Sequence, residues 1–530
     1  MKTPTTHHLP TAHSTNTFPH IPTPTHSPTN TFPNQHIPTP THSPTNTFPH
    51  QHIPTPTHSP TNTLPKPNTG GPLSPATLAA LAAELGLMTA VVRFLEPPPG
   101  PHRMPPSCSS SSPSLQPGAA AAAEGHPALR ALQVAWPVLS AVAGEPQCQR
   151  DPGVVEALAE LYKRSLMSTK LAGRPLLPPL IGAMLGVLRV RPHAAVLDCL
   201  AAVVELFGEV AHNGETRSAQ IAALDGCIQM MGALMANLSA QQQASSGAPT
   251  ASAASPFPSD CSAGELAAAF FSLADRYLVF ARDLLLTGQG AAALPTLVEW
   301  VCGVIVSMRE REPVAAALSF LSHLLSAAAR LAAEETSGGV GGGGGGGGAT
   351  AAETRAGLDA LFGRCGPRLV HSLLVCGTDT CPPQLMRPLA GCLMGLITLA
   401  DAGAVAVAAS PGVVSEPPPV SLGDSELRRG LLGWLRGSWQ LPPLAELIQG
   451  GRLGTGGEHA LLFTALMLRG HYPQLDIARA FPTAPGAVAP TTTAENLKPL
   501  PRGRLDALVT DFFRLARGEA DADVMLAYEL

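Results

Sequence analysis

Two kinds of side chain in this sequence could carry chemistry: thiols and grouped cations. Ten cysteines stand singly, at 108, 148, 199, 227, 261, 302, 365, 376, 381 and 392. No two form a CxxC pair, so a zinc or redox motif of that spacing is missing. Cys376 and Cys381, five positions apart near a predicted helix end, come closest to a metal-binding pair. A closed site needs two further ligands at a workable spacing, and the sequence offers none. Among the cations, Lys163, Arg164, Lys170 and Arg174 gather in one short stretch. Such groups pair with carboxylate or phosphate, and an ordinary solvated helix face is the competing reading. His323 and His371 fall inside helical patterns and read as structural. The glycine run 341–348 lacks a GK[ST] ending and a preceding strand, so it reads as a linker and not as a phosphate loop. HExxH, GxSxG, the kinase set and an EF-hand loop do not occur. Acidic pairs such as Glu334 and Glu335 border predicted loops and read as a solvated face. The expectation is a protein that is not an enzyme and holds no catalytic group, metal or cofactor.

The elements that must position these residues follow from composition. Of 530 residues 45% are hydrophobic but only 4% aromatic, with Ala, Leu, Gly and Pro abundant. A core of Leu, Val and Ala favours helices over strands. The net charge of −5 and the lack of a dense Lys/Arg stripe argue against nucleic acid and for a protein partner. Only three lysines follow Lys66, namely Lys163, Lys170 and Lys498. No apolar run follows basic residues at the N-terminus, so no secretory signal is expected. The longest unbroken apolar stretches, such as 176–188, contain prolines and fall short of the roughly 18 to 20 residues of a membrane span. The chain is therefore expected to be soluble, without membrane insertion, with most cysteines reduced in the core of a cytosolic or nuclear protein.

Along the chain, residues 1–73 repeat HIPTPTHSPTNTFP, with Asn16, Asn30, Asn46 and Asn62 spaced 14, 16 and 16 residues apart. This tract holds ten of the eighteen histidines and few apolar residues, so a disordered, polyproline-like tail is expected. Weak metal binding by its histidines and a misassigned gene start are the other readings. From residue 74 apolar residues recur with a helical period. Ser74 and Pro75 suit an N-cap and first turn, and that helix should run to Leu95. Further helices are expected near 127–143, 152–171, 175–190, 193–211, 217–240, 263–286, 291–308, 312–335, 353–375, 382–400, 424–436, 457–469 and 502–517. Ser, Pro, Gly and Ala-rich inserts at 104–124, 241–260, 336–350 and 409–421 should be loops. In the helix near Pro295 the stripe is Leu297, Trp300, Val301, Val304, Ile305 and Met308. In the last helix it is Leu505, Leu508, Val509, Phe512, Phe513 and Ala516, with Arg504, Asp511, Arg514 and Arg517 on the rim. Each stripe needs a neighbouring helix. The expected fold class is all-α, a HEAT/armadillo-type α-solenoid over 74–518 with a disordered tail at 1–73, low-complexity loop inserts and a short C-terminal tail at 519–530. A globular helical bundle is the alternative.

Three segments carry a family resemblance. HPALRALQVAWPVLS, His126 to Ser140, resembles a receptor segment in which His-Pro opens a helix ending in Trp-Pro-Val-Leu-Ser. The helix with Pro295, Leu297 and Trp300, followed by that with Phe320, Leu321 and Leu324, is similar to the same receptors in order and spacing. Asp511, Phe512, Arg514, Leu515 and Arg517 in DFFRLAR resemble their closing helix. The chain thus resembles, over roughly 75–517, the C-terminal part of a transportin-3/importin-13-type receptor of the importin-β (karyopherin-β) superfamily. That resemblance implies a HEAT-repeat superhelix shuttling between nucleus and cytoplasm. It implies partners as well: protein cargo, nucleoporins and the small GTPase Ran in its GTP form. In these receptors the N-terminal repeats hold most of the Ran contact; this chain is expected to lack them and to bind Ran-GTP weakly. In transportin-3-like members an arginine-rich helix after the Trp-Pro segment engages phosphorylated Arg/Ser-rich splicing factors. Here that helix carries only Lys163, Arg164 and Lys170, which with Arg174 become the candidate cargo-binding residues. Nuclear protein import is the expected function, and a helical-repeat scaffold without transport activity is the alternative.

Overall fold

Local sequence sets where each helix begins. Ser74 accepts from Thr77 N (3.1 Å) ahead of Pro75, opening α1 (Pro75–Phe94). Asp151 does the same for Val154 N (2.9 Å) at α3 (Pro152–Thr169), and Ser262 for Glu265 N (3.3 Å) at α7 (Ala263–Phe280). These side chains satisfy amides that a helix start leaves unpaired. The computed structural model describes residues 72–95, 126–208, 214–245, 262–337, 348–408, 426–454, 456–472 and 498–528. The tail expected at 1–73, apart from its last two residues, and most of the four inserts lie outside them.

The other long helices are α2 (Pro127–Gly144), α4 (Leu177–Val190), α5 (Ala194–Phe207), α6 (Gly214–Ser245), α8 (Gly288–Ser307), α9 (Arg311–Ser337), α10 (Gly348–Val375), α11 (Met386–Ala408), α12 (Glu426–Ser438), α13 (Glu458–Leu468) and α14 (Arg502–Arg517). Single turns cover Pro146–Arg150, Arg282–Leu286, Leu444–Gln449 and Asp523–Leu526. Among the described residues there is no strand, only an isolated bridge between Arg469 and Tyr472, so the fold is all-α.

Packing follows the parity of the helices. α1, α3, α5, α7, α9 and α11 form one file, each against the next, and α14 closes it against α11. α2, α4, α6, α8, α10 and α12 form a second file in the same way. Most consecutive helices also pack across the files, and their buried Leu, Val, Ala and Phe join in one core. Aromatic contacts mark both directions of packing: Phe270 of α7 meets Trp300 of α8 edge-on at 5.9 Å across the files, and Phe271 meets Phe320 of α9 at 5.9 Å within one.

The stripe expected in α8 is buried at Leu297, Val301, Val304 and Ile305. Trp300 and Met308 are half-buried, a correction for Trp300, whose ring lies edge-on to Phe270 and close to Gly232 of α6. The run expected at 263–286 breaks at Ala281 (φ −140°, ψ 44°). That at 193–211 ends at Phe207, with 209–213 outside the described residues. Residues 241–245 and 348–350, expected in loops, are helical. After α14, Met525 and Tyr528 are buried, and Tyr528 OH donates to Asp511 Oδ2 (2.7 Å).

Five helical runs are long and apolar enough to cross a membrane: Pro75–Phe94, Pro152–Val190, Gly214–Ala240, Gly288–Ser307 and Arg311–Leu331. This corrects the expectation that none reaches that length. Unbroken apolar runs are short, but Ala and Gly between Leu and Val keep the average hydropathy of a whole helix high. In four of the five, 33% to 56% of the apolar window is buried against other helices. α1 is only 11% buried, with Leu87, Val91 and Phe94 exposed.

Candidate functional site

The candidate cations sit where α3 ends. Its inner face buries Val154, Val155, Leu158, Leu161, Tyr162 and Leu166, which fixes the opposite face toward solvent. Ser165 and Thr169 turn their hydroxyls onto Leu161 O (2.6 Å) and Ser165 O (2.8 Å). The helix stops at Lys170, whose φ of 48° is the one left-handed non-glycine conformation among the described residues, and a 3-10 segment, Lys170–Leu176, follows. Gly173 lies so close to the Thr169 side chain that a Cβ would collide with it, so the segment folds tightly back.

Arg164 and Lys170 are exposed, whereas Lys163 and Arg174 are half-buried. Arg164 Nε donates to Glu160 Oε1 at 2.6 Å, an i,i+4 pair. Burial pushes the Cys199 thiol of α5 up to about 12, while the charge of Lys163 pulls the other way. Met167 and Leu171 are exposed between the cations. The surface is thus a mixed one: two free-standing apolar side chains, an exposed lysine, an arginine tied to a glutamate and two cations set lower. Met167, Leu171 and Glu160 escaped the sequence reading. Glu160 was legible as an i,i+4 partner, and the apolar pair from its own helical spacing.

Beneath this surface Trp136 of α2 stacks on Tyr162 at 5.6 Å with planes 28° apart. The His126–Ser140 segment therefore braces the helix that carries the cations. Tyr162 OH is buried without a hydrogen-bond partner, and burial pushes its pKa well up.

A second cluster surrounds Cys376 and Cys381. α10 runs into a π-helical turn, Cys376–Thr380, in which Cys381 N donates to Cys376 O (2.7 Å). Cys381 Sγ donates to Pro382 O (3.5 Å). The neighbouring Cys381 thiol and burial raise the Cys376 pKa, whereas the Cys376 thiol and the Arg517 guanidinium lower that of Cys381 against its burial. Arg517 of α14 donates to Gly377 O from Nε (3.0 Å) and Nη2 (2.8 Å), and to Cys381 O from Nη2 (2.8 Å). This corrects its expected place on the rim, since its side chain is only 12% exposed. Among the described residues no three His, Cys, Asp or Glu side chains gather as a metal site would require.

Of the histidines, His323 faces Asp275 Oδ1 while Ser319 donates to Asp275 Oδ2 (3.1 Å). His371 Nδ1 is buried without a hydrogen-bond partner, so the expectation of a satisfied structural histidine fails for that atom. An apolar cavity under α12 and α13 is lined by Val370, Leu374, Leu396, Leu431, Phe463 and Thr464, among others. An open groove between α4 and α6 carries Glu215 as its one charged side chain. Neither brings two titratable groups together. No protein-family model matches the chain, and no curated protein does.

Proposed function

We propose that this chain is a HEAT/armadillo-type solenoid that works by holding protein ligands, as a nuclear transport receptor of the importin-β kind does, and not by making or breaking bonds. The observation that carries the reading is the two-file packing: α1, α3, α5, α7, α9, α11 and then α14 stack in one file and α2, α4, α6, α8, α10 and α12 in the other, with most consecutive helices joined across. Repeats packed this way present long helical surfaces suited to protein ligands. On this reading the Lys163, Arg164, Lys170 and Arg174 surface, with Met167 and Leu171 between its cations, takes an acidic or phosphorylated cargo segment. The chain works in nucleus and cytoplasm, nucleoporins are partners, and Ran-GTP binds weakly.

The scaffold reading is favoured by one observation, the Arg164–Glu160 pair, which removes one cation from the surface. Fluorescence anisotropy with a phosphorylated Arg/Ser-rich peptide and its unphosphorylated twin separates the two. Phosphate-dependent binding that weakens with salt and is lost in Lys163/Arg164/Lys170→Ala supports cargo recognition. Equal affinity for both peptides, unchanged in the variant, removes the cluster from any such role. Tight retention of purified Ran-GTP would overturn the expectation for Ran.

A further inference from the structure

We propose that Ser74 is a phosphorylation site read by a proline-directed protein kinase, and that the phosphate it receives holds the first turn of α1 closed. Ser74 stands between Pro72 and Pro75 in the sequence PLSP. Among the described residues it is the one serine or threonine that a proline follows. Pro75 holds the residue before it extended and offers no amide hydrogen after it, the two features that a proline-directed kinase selects. The structure meets that requirement: Ser74 is exposed with φ −70° and ψ 152°, and Pro72, Leu73, Pro75, Ala76 and Thr77 are exposed around it. Leu73 N donates to Gln147 Oε1 of the turn Pro146–Arg150. Beyond that bond, Leu78 is the first residue of α1 to be even half-buried. Drawing the segment into an enzyme cleft therefore opens one turn and little core. The same Ser-Pro pair stands at Ser27, Ser43 and Ser59, 16 residues apart, and Ser74 follows 15 residues later. The regular series thus runs into the cap of the first helix.

In the transfer, Ser74 Oγ attacks the γ-phosphorus of ATP, the bond from that phosphorus to the bridging oxygen breaks, and ADP leaves. The hydroxyl proton passes to a carboxylate of the kinase. In the unmodified chain Ser74 Oγ accepts from Thr77 N (3.1 Å) and lies 2.8 Å from Thr77 Oγ1. The first turn of α1 contains no acidic residue, so nothing on α1 itself balances the positive end of the helix. A phosphate of about −1.5 to −2 charge at pH 7 does so. Its three oxygens are acceptors for Thr77 N, the Thr77 hydroxyl and the Ala76 amide, donors of the kind that a helix start leaves unpaired. α1 has the most to gain, because it is the least buried of the five long apolar runs and leaves Leu87, Val91 and Phe94 exposed.

The experiment incubates the full chain with a purified mitogen-activated protein kinase and magnesium ATP, with a Ser-Pro control peptide in the same tube, and maps phosphate by mass spectrometry. Phosphate is expected on Ser74 and not on Ser140, Ser218 or Ser307, which are exposed but lack a following proline. Pro75→Ala should abolish transfer to Ser74, and Ser74→Ala should lose that phosphate alone. Amide hydrogen exchange within α1 should slow about two- to fivefold in the phosphorylated chain, the effect of an anion at a helix start, with α5 and α7 unchanged. Ser74→Ala treated in the same way should show no slowing. A bare Ser74 beside a fully modified control peptide overturns the site. Phosphate on Ser74 with exchange in α1 unchanged or faster overturns the role given to it. Both readings are taken on the unmutated chain, so neither depends on how the variants fold.

Discussion

Arg517 is a side chain whose role lies in what it reaches. It joins the last long helix to carbonyls 140 and 136 positions earlier. Arg517→Ala leaves those carbonyls without their charged donor and should cost about 3 kcal/mol, read as a shift of the denaturant midpoint at unchanged slope. Trp300 has less to lose than its helical spacing suggests. It is half-buried against Phe270 and Gly232, so Trp300→Ala should cost about 2 to 3 kcal/mol, at or below the lower end of the range for buried aromatics. The thiols of Cys199, Cys227 and Cys392 are raised from 9.0 to about 12, burial being the main cause. The unfolded chain therefore releases protons that the folded chain keeps. Stability owed to these groups is complete below pH 9.0 and is lost as pH climbs toward 12. Denaturation midpoints that stay level across that alkaline window would contradict the burial of these thiols.

At the scale of the element, the caps are the parts most open to reading and to test. Asp151→Ala removes the acceptor for Val154 N and should cost about 1 kcal/mol, with Asp151→Asn retaining most of it; equal stability of the two variants would show that the cap contributes nothing. Ser74 and Pro75 announced α1, and the apolar period announced most long helices to within a few residues, because local spacing alone sets both; α11, expected to end at 400, runs on to Ala408. The break at Ala281 was not legible, since no proline or glycine marks it and the turn Arg282–Leu286 instead sends Leu284, Leu285 and Leu286 into the core. The basic stretch at the end of α3 was legible as charge. Its neutralising Glu160 and its apolar Met167 and Leu171 were passed over, since they show only when the helix is drawn as a surface. Nothing local could have moved Arg517 from rim to clamp: its partners are carbonyl oxygens, which every residue has.

At the scale of the whole described unit, alternate stacking makes stability a matter of neighbours. Each helix in a file touches the one before and the one after, with crossings to the other file, so the loss of an end should be felt locally. Removing residues 498–530 takes away Leu508, Val509, Phe512 and Phe513, which are fully buried, and with them the stacked pair Phe463–Phe512 at 4.0 Å. α11, α13 and the π-helical turn at Cys376 lose their cover, whereas α3, α4 and α5 lose none. Amide hydrogen exchange on the shortened chain should accordingly show faster opening confined to residues from about α10 onward, with protection in α3 to α5 within a few tenths of a kcal/mol of the full chain, the usual bound for distant sites. A single compact bundle would answer differently, because all its helices share one cooperative core and would lose protection together. Uniform loss across α3 to α14 would therefore sink the solenoid reading, and with it the long ligand-bearing surface on which the proposed function depends.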